Sequence, residues 1–199
     1  GELPDTHPEQ QAYRAKDEAL RYLMAEARQV WFATAELMAM YPPCRGTVVP
    51  NMLDPRIWRN YREAARKPPA PGKPLRLVYM GTPTHDHDFS IMLPALDELW
   101  TRRPGSFQMS LVRAVRRPPS RPWLKRLAPP EEARTYPRFA RWFRDQGPFD
   151  VGLAPLADDR FNAAKSDIKV LDYCALGLVS VVSDVPAYRD TAPGANFVV

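Results

Sequence analysis

Cysteine is scarce in this chain. Two residues in 199, Cys44 and Cys174, stand far apart and share no metal-ligand spacing. That excludes a disulfide framework and a cysteine-based metal centre, and it fits a reducing compartment. Long apolar runs are also missing: no stretch approaches the roughly 20 consecutive residues of a membrane span. The N-terminal GELPDTHPEQ lacks a signal-peptide pattern. It begins without Met, so the sequence reads as an excised piece of a longer chain. There is no internal repeat, no P-loop, no nucleophile elbow and no His–Asp–Ser set, so the familiar signatures of nucleophilic catalysis are absent.

What is present begins with proline, 23 residues in clusters. KPPAPGKP (67–74) reads as a linker or hinge, RRPPSRPW (116–123) and APPEE (128–132) as loops. Hydrophobic residues make up 45% of the chain, enough for a sizeable core, and the net charge of +5 favours anionic partners.

Ahead of the linker, residues 12–29 are strong helix formers with an apolar stripe at Ala19, Leu20, Leu23, Met24 and Ala27. A short strand follows at 29–34, a helix at 34–41 capped by Thr34, and a strand at 47–49. DPRIWRNYREAARK, the segment before the linker, reads as helical or irregular. After the linker the rhythm changes. Strands are expected at 75–80, 107–115, 149–156 and 178–184, with helices at 90–104, 137–147 and about 164–177. ANFVV at the end reads as the start of a fifth strand. This alternation with continuous apolar strands predicts an α/β fold: a Rossmann-like parallel sheet with helices on both faces. Ligands in such sheets bind at the carboxyl ends of the strands. The residues to watch are therefore Gly81–Thr82–Pro83, Arg113, Pro155–Leu156 and Asp184.

Three constellations could carry chemistry. In FNAAKSDIKVLDY (161–173), Lys165 and Lys169 load the positive end of the predicted helix with more positive charge. A like charge there costs roughly 0.3–1 kcal/mol. Helical spacing puts Lys165, Lys169 and Asp172 on one flank, beside an apolar face of Ile168, Leu171, Cys174 and Ala175. Cys174 thus reads as a buried thiol. A bound phosphate would resolve the conflict, and an acid one turn on suits a sugar diol. The same residues would also suit a solvated face with Asp172 paired to a lysine.

In GTPTHDHDF (81–89), a single Gly after a buried strand permits close backbone approach to a phosphate. The run His85–Asp86–His87–Asp88 has metal-ligand residue types. Adjacent residues rarely converge on one ion, however, so no metal is expected, and Asp86 or Asp88 reads as a helix N-cap. Residues 113–145 carry ten Lys or Arg against three acids, interleaved with aromatics. Phe139, Trp142 and Phe143 have helical spacing and are expected to pack on the sheet, leaving the arginines in solvent.

The run from Phe149 to Asp190 resembles the donor-binding domain of bacterial nucleotide-sugar glycosyltransferases of the GT-B class (glycosyl transferases group 1 type). VYMGTPTHDHDFSIMLPAL resembles that domain's first strand, Gly loop and helix. VWFATAELMAMY and VVPNMLDPRIW resemble the end of the preceding acceptor domain and its hinge. The resemblance implies one half of a GT-B fold. Residues 1–66 would be the end of the acceptor domain and hinge, 67–74 the linker, and 75–199 the donor-binding domain, truncated at its C-terminus.

The usual E-x7-E motif falls on Ala164 and Asp172, so its first acid is missing. The chain is closer to a subgroup with K-S-x-x-K-x-x-E-Y, here with Asp for Glu. The Gly often found after the second strand is Arg113. The resemblance implies that Lys165, Ser166 and Lys169 face the diphosphate, that Gly81 and Thr82 approach it from the other side, and that Asp172 holds the ribose. His85, Arg113 and Pro155 are further candidates. The catalytic base is unknown from these residues. No cofactor or metal is implied.

The implied function is transfer of a sugar, with retention, to a glycan or lipid-linked acceptor in cell-surface polysaccharide synthesis. The implied location is the cytoplasm or the inner face of the membrane, with peripheral membrane contact in the full-length protein and no nucleic-acid partner. The isolated piece is expected to be inactive. Two rivals stand beside it. A nucleotide-sugar epimerase of the same architecture would need no acceptor. A non-catalytic polyanion-binding module using 113–145 would lose binding on charge reversal of Arg138, Arg141 and Arg144.

Overall fold

The structure, a computed structural model, describes residues 8–42, 45–58, 70, 72–82, 85–189, 191 and 196–198. Cys44, Pro83, residues 59–66 and residues 67–69 and 71 of the proposed linker lie outside the described residues. By its contacts the chain divides into two units: 1–50 with Ala164–Ser166, and 51–163 with 167–199. The division falls ahead of the Pro-rich stretch because Leu53, Ile57 and Trp58 pack in the core of the second unit.

In the first unit, helix α1 (Pro8–Glu26) leads to β1 (Val30–Phe32), helix α2 (Ala35–Ala39) and β2 (Gly46–Val48). The strands pair in parallel, Trp31 opposite Thr47. Thr34 caps α2 as expected, its hydroxyl oxygen accepting from the Leu37 N–H at 3.1 Å. The same hydroxyl donates to the Ala164 carbonyl at 3.0 Å, which ties Ala164–Ser166 to this unit. The stripe expected on α1 stays in solvent at Leu20 and Leu23.

In the second unit, α3 (Pro55–Trp58) precedes an alternating series. It runs β3 (Leu75–Met80), α4 (Asp86–Arg102), β4 (Phe107–Val112), β5 (Leu124–Leu127), α5 (Tyr136–Asp145), β6 (Val151–Ala154), α6 (Arg160–Ala163), α7 (Ile168–Ala175), β7 (Val179–Val182) and β8 (Asn196–Val198). The sheet is six-stranded, in the order β5-β4-β3-β6-β7-β8, and every pair is parallel. This is the Rossmann-like α/β sheet that the alternation predicts. Strand β5 is an addition. Its Lys125 and Arg126 face solvent at the sheet edge, so Leu124–Leu127 carries no continuous apolar run and reads as loop.

Strand period explains the two cores. Leu77 and Tyr79 point to one face and join Phe89 and Leu96 of α4, while Val78 and Met80 point to the other and join Phe143, Val170 and Tyr173. The chain leaves β3 toward β4 and β5 on one side and places β6, β7 and β8 on the other. The order therefore switches between β3 and β6, where a crevice forms at the strands' carboxyl ends.

On α7 the buried residues are Val170, Asp172 and Tyr173, with Leu176 just beyond, and Cys174 is exposed. The apolar face is therefore rotated from the expected Ile168–Leu171–Cys174 set. Tyr173 decides the rotation. Its ring fills the space left by Gly152, where an added Cβ would lie 2.3 Å from the ring, and its hydroxyl donates to the Leu153 carbonyl at 3.0 Å. Gly177, at φ +68, closes the helix: the Leu178 N–H returns to the Tyr173 carbonyl at 2.9 Å.

Candidate functional site

The cavity at the carboxyl ends of β3 and β4 has a volume of about 620 Å³. It lies wholly within the second unit. Gly81, Thr82, His85, Arg113, Lys169 and Asp172, all expected from the sequence, line it. Tyr136, Phe139, Ala133 and Arg134, from α5 and the turn before it, form a wall that sequence reasoning missed.

Each side chain arrives by a local cause. β3 ends at Met80, and the chain turns through Gly81 into α4. A Cβ on Gly81 would lie 2.7 Å from His85 Cδ2, so the glycine makes room for the imidazole ring. His85 is the N-cap residue of α4, and neither Asp86 nor Asp88 caps it. Asp86 instead accepts from the Arg116 N–H at 3.0 Å.

Asp88 is buried and central. Its Oδ2 lies 2.6 Å from His85 Nδ1, and its Oδ1 accepts from the Ala157 N–H at 2.9 Å and from Asn162 Nδ2 at 3.1 Å. Three donors satisfy a carboxylate that burial would otherwise destabilise. Lys169 Nζ lies 3.3 Å from His85 Nε2 and 5.1 Å from the centre of the Tyr79 ring. An ammonium has donors only, so Nε2 must accept, and that assigns the ring proton to Nδ1, donating to Asp88. The chain Asn162–Asp88–His85–Lys169 thus joins α6, α4 and α7 and holds an ammonium over an aromatic face at the cavity.

The helix carrying Lys169 is shorter than expected. It begins at Ile168 with Asp167 as its N-cap residue, after the separate turn of α6. Lys165 therefore precedes the helix and does not load its first turn. With Ser166 it belongs to the first unit, outside the residues lining the cavity. Helical spacing could not reveal this, because the Ala164 carbonyl at the break accepts from Thr34, 130 residues away.

Asp172 is 4% exposed, and burial raises its pKa to about 6 against the lowering effect of a hydrogen bond. That bond is short: the Tyr136 hydroxyl donates to Asp172 Oδ1 at 2.5 Å. Burial, and then the neighbouring carboxylate, push the Tyr136 hydroxyl well above the ordinary phenol range, so it stays a donor.

Arg113 stands where the strand β4 ends, with φ +59. That is the left-handed conformation glycine adopts freely, so an arginine stands here in a backbone position suited to glycine. Pro155, by contrast, is buried beyond β6 and does not line the cavity. The turn it begins is spent on structure: the Leu156 N–H donates to Ser183 Oγ at 3.0 Å, and the next N–H to Asp88.

On α5, Ala140 and Phe143 are buried, Phe139 and Trp142 pack against the same core, and Arg138 and Arg141 face solvent. This is the packing expected of the basic segment. Among the described residues no helix is long and apolar enough to cross a membrane, and no group of three His, Cys, Asp or Glu is placed to hold a metal ion.

No family model and no curated protein matches the chain. Solved structures do. A UDP-forming α,α-trehalose-phosphate synthase from Burkholderia xenovorans matches at a TM-score of 0.59 and 15% identity, over 99% of this chain and 55% of that one. An α,α-trehalose 6-phosphate synthase from Burkholderia multivorans matches at 0.56 and 14%, over 98% and 53%. An E. coli trehalose-6-phosphate structure bound with UDP-2-fluoro glucose matches at 0.53 and 15%, over 94% and 53%. The chain thus spans about half the length of these proteins, and the likeness shows its fold, the Rossmann-like α/β architecture of GT-B proteins.

Proposed function

We propose that this chain binds a nucleoside-diphosphate sugar in the cavity beside Lys169 and Asp172, and that the whole protein transfers the sugar to an acceptor. The observation that carries the reading is the placement of an ammonium and a buried carboxylate, Lys169 and Asp172, on one short helix facing one cavity at the switch point of the sheet. A volume of about 620 Å³ falls in the range of small-molecule sites.

In this reading Lys169 neutralises the diphosphate, most strongly as it becomes the leaving group. The His85–Asp88 pair orients Lys169 by fixing what its ammonium donates to. Arg113 supplies a second positive charge from the end of β4, and the Gly81–Thr82 backbone borders the phosphates. Asp172 holds a ribose hydroxyl. Lys165 and Ser166 are proposed as further phosphate ligands from their place in the K-S-x-x-K-x-x-D pattern. Retention of configuration, a glycan or lipid-linked acceptor, and action at the inner membrane face belong to the same proposal. Support for a nucleotide-sugar donor comes from the fold-level neighbours, one UDP-forming and another bound with UDP-2-fluoro glucose.

Calorimetric titration with UDP and GDP tests the reading. One of the two is expected to bind, and Lys169→Ala should weaken it about tenfold or more, the loss of one desolvated charge-assisted hydrogen bond. Lys165→Ala, measured separately, reports on the earlier lysine. Wild-type affinity in Lys169→Ala would overturn the phosphate assignment.

A further inference from the structure

We propose that Tyr136 and Asp172 form one hydroxyl-reading pair. One hydroxyl of a ligand cis-diol donates to Asp172 Oδ2 and the other to the phenolic oxygen of Tyr136. This rests on the reading above, in which the diol is that of the nucleotide ribose.

Tyr136 has a single hydroxyl proton, and it is spent on Asp172 Oδ1 at 2.5 Å. What the two groups present to the cavity is therefore acceptor capacity only: Oδ2 of the carboxylate and the lone pairs of the phenol. Such a surface repels phosphate oxygens, which are acceptors too, and takes hydroxyls. Of the other lining residues, Met80, Ala133, Phe139 and Ile168 are apolar, and the side-chain donors are Thr82, His85, Arg113, Arg134 and Lys169. The buried Trp58 indole N–H closes no full hydrogen bond but lies near enough to the Tyr136 hydroxyl to pull its pKa down, so it competes for one phenolic lone pair and leaves the other to a ligand.

Burial adds a second point. Asp172 is 4% exposed, whereas Tyr136 is 40% exposed at the rim of the same cavity. A carboxylate this deep, on a side chain one methylene shorter than Glu, has limited reach. The tyrosine hydroxyl carries the acceptor surface outward by one hydrogen bond. No spacing rule links the two residues, because they stand 36 positions apart on α5 and α7.

The test uses the full chain and the better-binding of UDP and GDP, together with its 2′-deoxy and 3′-deoxy forms. Wild type should prefer the ribonucleotide over each deoxy form by about tenfold, one hydrogen bond to a charged or charge-coupled acceptor. Tyr136→Phe should abolish the preference against one deoxy form and keep it against the other. Asp172→Asn should do the converse, and it serves if Tyr136→Phe proves unstable. An equal loss for all three ligands in Tyr136→Phe, or an unchanged preference, would overturn the pair while leaving the nucleotide site intact. A wild-type chain that binds neither UDP nor GDP overturns the site reading, and the pair with it.

Discussion

The His85 ring occupies the space that a side chain on Gly81 would need. A Cβ at Gly81 would lie 2.7 Å from His85 Cδ2 and 3.3 Å from the Ala114 Cβ. His85 cannot swing away cheaply, because Asp88 holds its Nδ1 at 2.6 Å and Asp88 is itself held by the β6–α6 connection. Gly81→Ala should therefore cost about 1–3 kcal/mol, as overpacking does. It should also loosen Lys169 and weaken diphosphate binding. Chemical denaturation and titration of the same variant check both, and wild-type stability would show that the ring relaxes freely.

Asp172 makes stability depend on pH with a definite sign. Burial raises its folded pKa to about 6 from the ordinary carboxylate value of 3.8. Well below pH 3.8 it is neutral in both states and costs nothing. Between about 4 and 6 the unfolded chain ionises first, so stability falls as pH rises, by on the order of 3 kcal/mol in total, and stays low above it. Asp172→Asn keeps an oxygen to accept from Tyr136 and removes the titration. Its thermal melts should show higher stability than wild type at pH 7, equal stability near pH 3, and weaker nucleotide binding throughout. A parallel pH profile for the two proteins would sink the assignment.

Arg113 trades backbone comfort for charge. A non-glycine residue at φ +59 carries a left-handed penalty of roughly 1–2 kcal/mol, and glycine has no such penalty but a more flexible unfolded chain. Arg113→Gly should raise the melting temperature modestly and weaken diphosphate binding several-fold. Arg113→Ala, which keeps the strain and removes the charge, should weaken binding without the gain. If both variants bind as wild type does, Arg113 has no part in the site.

Much of the fold was legible in the residues. LRLVYM and FDVGLAPL are apolar enough to be buried strands wherever they lie, and their alternation with helices left the parallel sheet as the answer. The edge that carries the cavity followed, since it depends on chain direction alone. Gly81, Thr82, His85, Arg113, Lys169 and Asp172 could be named for that reason. The limits were equally physical. Strand β5 is legible only through its neighbour, because Lys125 and Arg126 belong to an edge. The phase of α7 turned on which side chain fills the hollow at Gly152, a volume that no periodicity encodes. Lys165 lies ahead of the helix, beside an Ala164 carbonyl that accepts from the distant Thr34 hydroxyl.

Local chemistry therefore settled which elements form and which ends carry polar residues, because propensity and hydrophobic period act over a few neighbours. Tertiary structure alone decided the partners. Tyr136 on Asp172, Asp88 beneath His85 and the ring of His85 over Gly81 are contacts between side chains whose meeting depends on the packing of a whole sheet. Each reassigns a residue's role: the glycine serves a histidine, Asp88 serves a loop, and Asp172 is engaged by a tyrosine.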